Sequence, residues 1–217
     1  MEFNFRLGST IVAAMSPYLG SVLRCVAITL LACAASTHAA DERFPFVIPG
    51  DDASATVTSM AGLSPRPAGA DGFVRIRDAH FFTDTGRLRF WGINTCFAGN
   101  FPEHADAEKV AAHFAKLGLN AVRMHHHDGN AAPRGIWGPV IDGRRTFSPA
   151  QLERQDYFLN ELHRHGIYAN LNLHVGRELT AAEGFSREGL PYSTRYDKYL
   201  LYFEPQAKAR LKDFARD

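Results

Sequence analysis

Cysteine is scarce in this sequence, and neither sign of charge dominates. The chain of 217 residues has 3 cysteines, which excludes a scaffold held together by disulfides. Its 24 Lys and Arg balance 23 Asp and Glu, so the composition offers no basic domain for nucleic acid. No internal repeat is present, which argues against solenoids and propellers. Apolar residues are plentiful: 46% hydrophobic and 12% aromatic residues allow one domain with a large buried core.

An apolar run lies near the N-terminus. Residues 25–35 read CVAITLLACAA and follow Arg24, which is typical of the hydrophobic region of a secretory signal peptide and too short for a bilayer span. We predict a signal peptide over residues 1–39, starting at Met1 or Met15, and a secreted or periplasmic protein. A lipoprotein anchored through Cys33 and an uncleaved membrane anchor are the alternatives. We expect no transmembrane span after cleavage.

The remaining chain divides into a leader and a patterned region. Residues 40–72 are rich in Ala, Asp, Ser, Pro and Gly, which predicts irregular structure. Residues 73–217 alternate strand and helix patterns. The predicted elements are a half-buried strand at 73–77, a second strand at 88–93 that completes a hairpin, a helix with its apolar stripe from Ala107 to Leu117, a strand at 120–125, a loop at 128–147, a helix from Ser148 to Gly166 with Gln151 completing a capping box, a strand at 167–174, a loop at 176–202 and a helix from Pro205.

The order of these elements predicts an α/β fold with a parallel sheet. The long loops all follow strands, whereas the turns before strands are short, at Gly118 and Gly166. This asymmetry is the plan of a (β/α)8 TIM barrel, in which the site is built from the loops after the strands. Three of the eight βα units are present, so we expect the sequence to be the N-terminal part of such a barrel. Cys96, at the end of an apolar strand, is expected to be buried.

Candidate functional side chains lie where the predicted strands end. Asn94 follows the first parallel strand, His125 the second, and His174 ends the third. Arg123 lies inside the second strand, where an ionised guanidinium needs a partner. It either fixes a carboxylate in the pocket or forms a structural ion pair. Trp137, in the loop after that strand, either stacks on a ligand ring or packs the loop.

A cluster of metal-capable groups follows the second strand. Strand alternation places His125 and His127 on one side and His126 on the other, with Asp128 nearby. Two imidazoles and a carboxylate are ligands that zinc accepts. We predict no metal and no cofactor, and we keep a metal-dependent hydrolase that uses His125, His127 and Asp128 as an alternative.

Three segments together resemble a known family. Arg89-Phe90-Trp91-Gly92-Ile93-Asn94 resembles the first strand of clan A glycoside hydrolases, in particular the cellulases and mannanases of family five. Gly118-Leu119-Asn120-Ala121-Val122-Arg123 is similar to their second-strand signature, Gly-x-Asn-x-Val-Arg. The segment from Gly166 to His174 resembles their third strand, which ends in a pocket histidine, and Lys198 to Phe214 resembles the lead into their third helix. The resemblance covers about residues 73–217.

The resemblance implies an exported glycosidase that acts on a poly- or oligosaccharide by a retaining mechanism. That mechanism needs two carboxyl groups about 5 to 5.5 Å apart, which the family places on its fourth and seventh strands. Neither strand is in this sequence, so we expect the chain as given to be inactive. The resemblance assigns Arg123 a hydrogen bond to the nucleophile, His174 a subsite and Asn94 a place in the site. A non-catalytic carbohydrate-binding remnant is the alternative.

Overall fold

The computed structural model describes residue 47, residues 49–185, residue 199 and residues 202–217. The chain divides into two units, Met1–Ile48 and Pro49–Asp217, and the elements below belong to the second. The predicted signal peptide and most of the predicted loop at 176–202 lie outside the described residues.

The described part of the chain is a mixture of short strands and three helices. In chain order the elements are β1 (Arg75–Arg77), β2 (His80–Phe82), β3 (Arg87–Leu88), β4 (Gly92–Cys96), α1 (His104–Lys116), β5 (Ala121–His125), β6 (Trp137–Ile141), β7 (Arg144–Phe147), α2 (Pro149–Arg164), β8 (Tyr168–Leu171) and α3 (Pro205–Arg216). Short 3-10 helices cover Phe97–Asn100 and Ala181–Glu183.

A three-stranded parallel sheet is the centre of the unit. Its order is β4-β5-β8, with Asn94 opposite Arg123 and Arg123 opposite Asn170. The helices α1 and α2 connect these strands in turn, so the predicted succession of βα units is present. The third strand is shorter than predicted, because it ends at Leu171 and not at residue 174.

The two helices cover one face of this sheet. Val122 and Met124 of β5 are fully buried against Ala107, Phe158 and Leu162. Burying each large apolar side chain contributes about 1.5–3 kcal/mol. Alanines on α1 allow α1 to lie close to the sheet. On the opposite face Asn94, Arg123 and Asn170 are exposed.

Both helices end in the same turn. Gly118 (φ +75°) and Gly166 (φ +79°) adopt the left-handed conformation just past α1 and α2. After α2, the N–H of Gly166 donates to the carbonyl of His163, and that of Ile167 donates to Leu162. This is the Schellman arrangement that glycine favours, and it confirms the two glycine turns predicted from the sequence.

The predicted start of α2 is confirmed, but the predicted capping box is wrong. The hydroxyl of Ser148 accepts from the N–H of Gln151 at 3.4 Å, and Pro149 begins the helix. The side chain of Gln151 does not return to Ser148. It is buried and donates to the carbonyls of Pro133 and Gly135 instead, because these loop carbonyls have no other partner among the described residues.

The segment before the parallel sheet forms a separate antiparallel sheet of β1, β2 and β3. A strand is present within the predicted range 73–77, but all three residues of β1 are exposed, so its predicted half-burial is wrong. The predicted strand at 88–93 is two elements, because β3 ends at Leu88 and pairs with β2, whereas β4 begins at Gly92. β4 itself is largely exposed, since no strand among the described residues flanks its outer edge.

The predicted loop at 128–147 contains a β-hairpin. β6 and β7 pair in antiparallel fashion across Asp142 (φ +50°) and Gly143 (φ +76°). Two successive residues with positive φ define the type I′ turn, for which Asp-Gly is a strong signal. Asp142-Gly143 is visible in the sequence, and it predicts this hairpin, which the prediction of a loop at 128–147 overlooked.

The leader residues 49–72 contain no helix or strand, as predicted. They lie beneath the ends of α1 and α2, where the N–H of Met60 donates to Lys116 and that of Ala68 to His163. The ammonium of Lys116, nearly buried, forms an ion pair with Asp52, and this contact lowers the pKa of the Asp52 carboxyl well below its usual range. Within the described ranges, no helix combines the length and hydropathy that crossing a membrane requires.

Candidate functional site

The candidate site is the uncovered face of the parallel sheet together with the loops at its carboxyl edge. Asn94, Arg123 and Asn170 lie side by side in register across the three strands. Arg123 is exposed, and none of the ion pairs within the described residues involves it. Of its two predicted roles, the structural ion pair does not fit this exposure, because its side of the strand faces away from both helices, and the role beside a pocket carboxylate stays a prediction.

Cys96 is also exposed and has a free thiol, so its predicted burial is wrong. It lies opposite His125 in the register of β4 and β5. Alternation places both residues on the same face as Arg123, one step nearer the carboxyl edge. The apolar neighbours that suggested burial belong to a strand at the edge of the described sheet.

His125 is a hydrogen-bonding group at this edge. The side-chain amide of Asn172 donates to its Nδ1 at 2.9 Å. Desolvation lowers the pKa of His125, and the positive charges of His126 and Arg123 lower it further. The ring is therefore neutral at pH 7, and with Nδ1 accepting it carries its proton on Nε2.

Two strained residues follow neighbouring strands at the carboxyl edge. Phe97 (φ +52°) follows β4, and His126 (φ +55°) follows β5. Their rings stack 4.8 Å apart. Bulky residues rarely adopt positive φ, and such strain is concentrated at functional sites. The turn at His126 also ends the strand alternation, so the predicted sides of His125, His126 and His127 do not apply.

Asn100 fixes the first of these loops. Its side chain is fully buried, accepts from the hydroxyl of Thr95 at 2.6 Å and donates to the carbonyl of His125 at 2.8 Å. It therefore ties the loop after β4 to the end of β5. The sequence analysis missed this residue, because a single asparagine in a polar loop carries no local signal for burial.

Asp128 joins the loops that follow β5 and β8. Its fully buried carboxylate accepts three backbone N–H groups, from Val175 at 2.7 Å, Gly176 at 3.1 Å and Arg177 at 3.2 Å. Charge-assisted hydrogen bonds of this kind are the strong ones. We call this arrangement the Asp128 clasp; it occupies both carboxylate oxygens.

His127 is buried beside the clasp, and its Nε2 donates to the carbonyl of Asn172 at 3.1 Å. Burial lowers the pKa of His127, against the opposing effect of Asp128. His125 and Asp128 are each engaged elsewhere, as described above. Among the described residues no three His, Cys, Asp or Glu side chains are grouped to hold a metal ion. The structure does not bring His125, His127 and Asp128 together as a ligand set.

Trp137 is a packing residue of the loop. It is 3% exposed, its ring stacks on Phe147 at 5.2 Å, and Phe214 of α3 lies at the same distance. Its indole N–H donates to the carbonyl of Asp128. Of the two predicted roles, loop packing fits this burial, and an open platform for a sugar ring does not.

His174 lies beyond the end of β8 and is half-buried. It directly precedes Val175, whose N–H binds Asp128, so the clasp sets the position of the segment that carries His174. The predicted site residues thus separate into an exposed row with Asn94 and Arg123, an edge pair with His125, and a loop with His174.

Comparison with known proteins finds no matching family model, no matching curated protein and no matching solved structure.

Proposed function

We propose that this chain forms the first three βα units of an exported glycoside hydrolase barrel. In this role it supplies one wall of a cleft for a poly- or oligosaccharide. The observation that carries the proposal is the exposed row of Asn94, Arg123 and Asn170, held in register on three parallel strands. Donors and acceptors on rigid strands suit a ligand rich in hydroxyl groups.

The uncovered face supports the same proposal. Parallel sheets are covered on both faces in nearly all α/β proteins, whereas here Asn94, Cys96 and Asn170 are exposed on the face opposite the helices. In a closed barrel this face would line the interior, and the residues at its carboxyl edge would line the active-site mouth.

The proposed reaction is hydrolysis of a glycosidic bond with retention of configuration. Two glutamates on later strands would act as acid/base and as nucleophile. Arg123 would donate to the nucleophile and hold it ionised, since a neighbouring guanidinium lowers the pKa of a carboxyl group. Asn94 and the neutral His125 would hydrogen-bond the sugar or the carboxylates, and His174 would line a subsite.

The test is turnover by the protein from the complete reading frame that contains this sequence. Arg123→Ala should lower kcat by about 100-fold or more, as loss of a charge-stabilising donor does, and should leave the melting temperature unchanged. Arg75→Ala, on the exposed β1, is the matched control and should leave kcat unchanged. Unchanged turnover in Arg123→Ala contradicts the role of Arg123. Binding of glycans without hydrolysis by the wild type favours a carbohydrate-binding remnant.

A further inference from the structure

A cavity lies beside the candidate site, and four arginines line it. It has a volume of about 360 Å³ and lies between the β6–β7 hairpin, the loop after β8 and α3. Arg144 and Arg145 come from β7, Arg177 from the loop and Arg210 from α3. The volume is that of a small ligand pocket.

The arginines have more donors than the described residues use. A guanidinium offers five N–H donors. Arg177, whose side chain is 10% exposed, donates to Glu183 and to the carbonyl of Arg210, and its Nε has no partner among the described residues. The buried Nε of Arg210 has none either. Arg144 forms none of the ion pairs found among the described residues.

The carboxylates around the cavity offset this excess only in part, and Arg145 is paired with Glu178 at 3.4 Å. Glu183, Asp213 and Asp217 line it together with the arginines. Glu183 is already held by the N–H and hydroxyl of Thr180 as well as by Arg177. Asp213 lies 3.4 Å from Arg210 and from Arg216, which is a long contact. A buried donor without an acceptor is costly and in native proteins often marks an absent ion or water.

Arg177 links the cavity to the candidate site. Arg177 belongs to the Asp128 clasp, and its guanidinium lies 5.4 Å from the ring of Trp137 and 5.3 Å from that of Phe214. The two buried rings hold the Arg177 guanidinium in place by cation–π contact.

We propose that this cavity is a subsite for an acidic sugar, in which the arginines bind an oxyanion substituent of the saccharide. The substituent is either the carboxylate of a uronic acid or a sulfate ester, since the planar guanidinium recognises both by paired hydrogen bonds. This inference rests on the proposed function, because it names the class of substrate that the cleft receives.

The experiment is calorimetric titration of the full chain with three matched oligosaccharides: one with uronate, one with sulfate ester and one neutral. Inorganic sulfate is titrated separately. We expect one of the two acidic sugars to bind, the neutral sugar to bind at least about tenfold more weakly, and affinity to fall with added salt. Arg144→Gln and Arg210→Gln should each weaken binding about tenfold. Arg75→Gln, distant on β1, should leave it unchanged.

Equal binding of neutral and acidic sugars, an equal loss in Arg75→Gln, or saturation by inorganic sulfate with no gain from the sugar overturns the inference. Hydrolysis assays separate this failure from that of the proposed function. If the complete protein cleaves only neutral glycans and binds no acidic ones, the proposed hydrolase function is supported and the proposed acidic subsite is contradicted. If acidic sugars bind through the arginines and no glycan is cleaved, the proposed acidic subsite is supported and the proposed hydrolase function is contradicted.

Discussion

Arg123 and Met124 are neighbours in the chain, but their surroundings are opposite. Met124 is fully buried beneath the two helices, and Arg123 is exposed on the uncovered face. A residue that is exposed on a strand and makes no ion pair within the described residues contributes little to folding. The exposed side chain of Arg123 is therefore available for the role proposed above.

The contrast between these two residues is measurable as stability. Arg123→Ala should change the free energy of unfolding by less than about 0.5 kcal/mol, because it removes no buried contact. Met124→Ala, the matched control on the other face, should cost about 2–5 kcal/mol through the cavity it leaves. Urea unfolding of both variants measures the difference. A large loss in Arg123→Ala would mean that the guanidinium supports the fold.

The Asp128 clasp makes a prediction about local opening. Asp128→Asn keeps the size of the side chain but removes the charge that holds three N–H groups, each charged bond being worth about 1.5–3 kcal/mol. Hydrogen exchange at Val175, Gly176 and Arg177 should accelerate at least about tenfold. Asp142→Asn is the control, because asparagine tolerates the left-handed turn, and exchange at these amides should not change. Slow exchange in both variants would contradict the clasp.

His127 makes stability depend on pH. Burial lowers its pKa below the ordinary 6.5, so just below that pH the unfolded chain binds more protons than the folded chain. The free energy of unfolding should therefore fall as pH drops from about 6.5 towards the folded pKa. His127→Gln, which keeps a donor for Asn172, should flatten this slope in part, because the pKa values of His125 and His165 are lowered too.

Unfolding measured at several pH values between about 5 and 7 gives this slope. His163→Gln, which removes an exposed imidazole from α2, is the control and should keep the slope of the wild type. An identical slope in His127→Gln and wild type would show that the buried ring does not carry the effect.

At the scale of elements, two glycine turns connect the helices to the strands that follow them in the sheet. Gly166 ends α2 and places Ile167, which is 2% exposed, into the core just before β8. A side chain on Gly166 would meet the carbonyl oxygen of Pro65 at 2.6 Å. The turn therefore needs glycine both for its positive φ and for the close approach of the leader.

This requirement predicts that Gly166→Ala costs at least about 1 kcal/mol of unfolding free energy, from the left-handed conformation and the clash together. Gly99→Ala is the matched control, since nothing lies within 4 Å of its added Cβ. Thermal unfolding of the two variants provides the comparison. Equal melting temperatures would contradict the account of this turn.

The predictions from sequence succeeded where the signal is local. Ser148-Pro149 predicts the start of α2 and Gly118 the end of α1, because caps depend on a few neighbouring residues. The clasp joins Asp128 to a residue 47 positions away, and no local pattern reports such a contact. The exposure of Cys96 was missed for a related reason, since the strand's apolar pattern does not tell which face or edge another element covers.

At the scale of the whole molecule, the parallel sheet has one covered face and one uncovered polar face. The helices supply the core, and the loops at the carboxyl edge are held by Asn100 and the Asp128 clasp. The proposed barrel requires such a division, because its strand ends would carry the chemistry. In the function proposed above, the polar face is one wall of a retaining glycosidase cleft.

The most direct test identifies which anomer of the product sugar forms first. The protein from the complete reading frame is incubated with neutral and acidic oligosaccharides, and the product is followed by ¹H NMR. From a retaining mechanism we expect release of a sugar with the anomeric configuration of the substrate. We expect release to be at least about 100-fold slower in Arg123→Ala. Inverted product, no release from any oligosaccharide, or release that does not depend on Arg123 would contradict the proposed function.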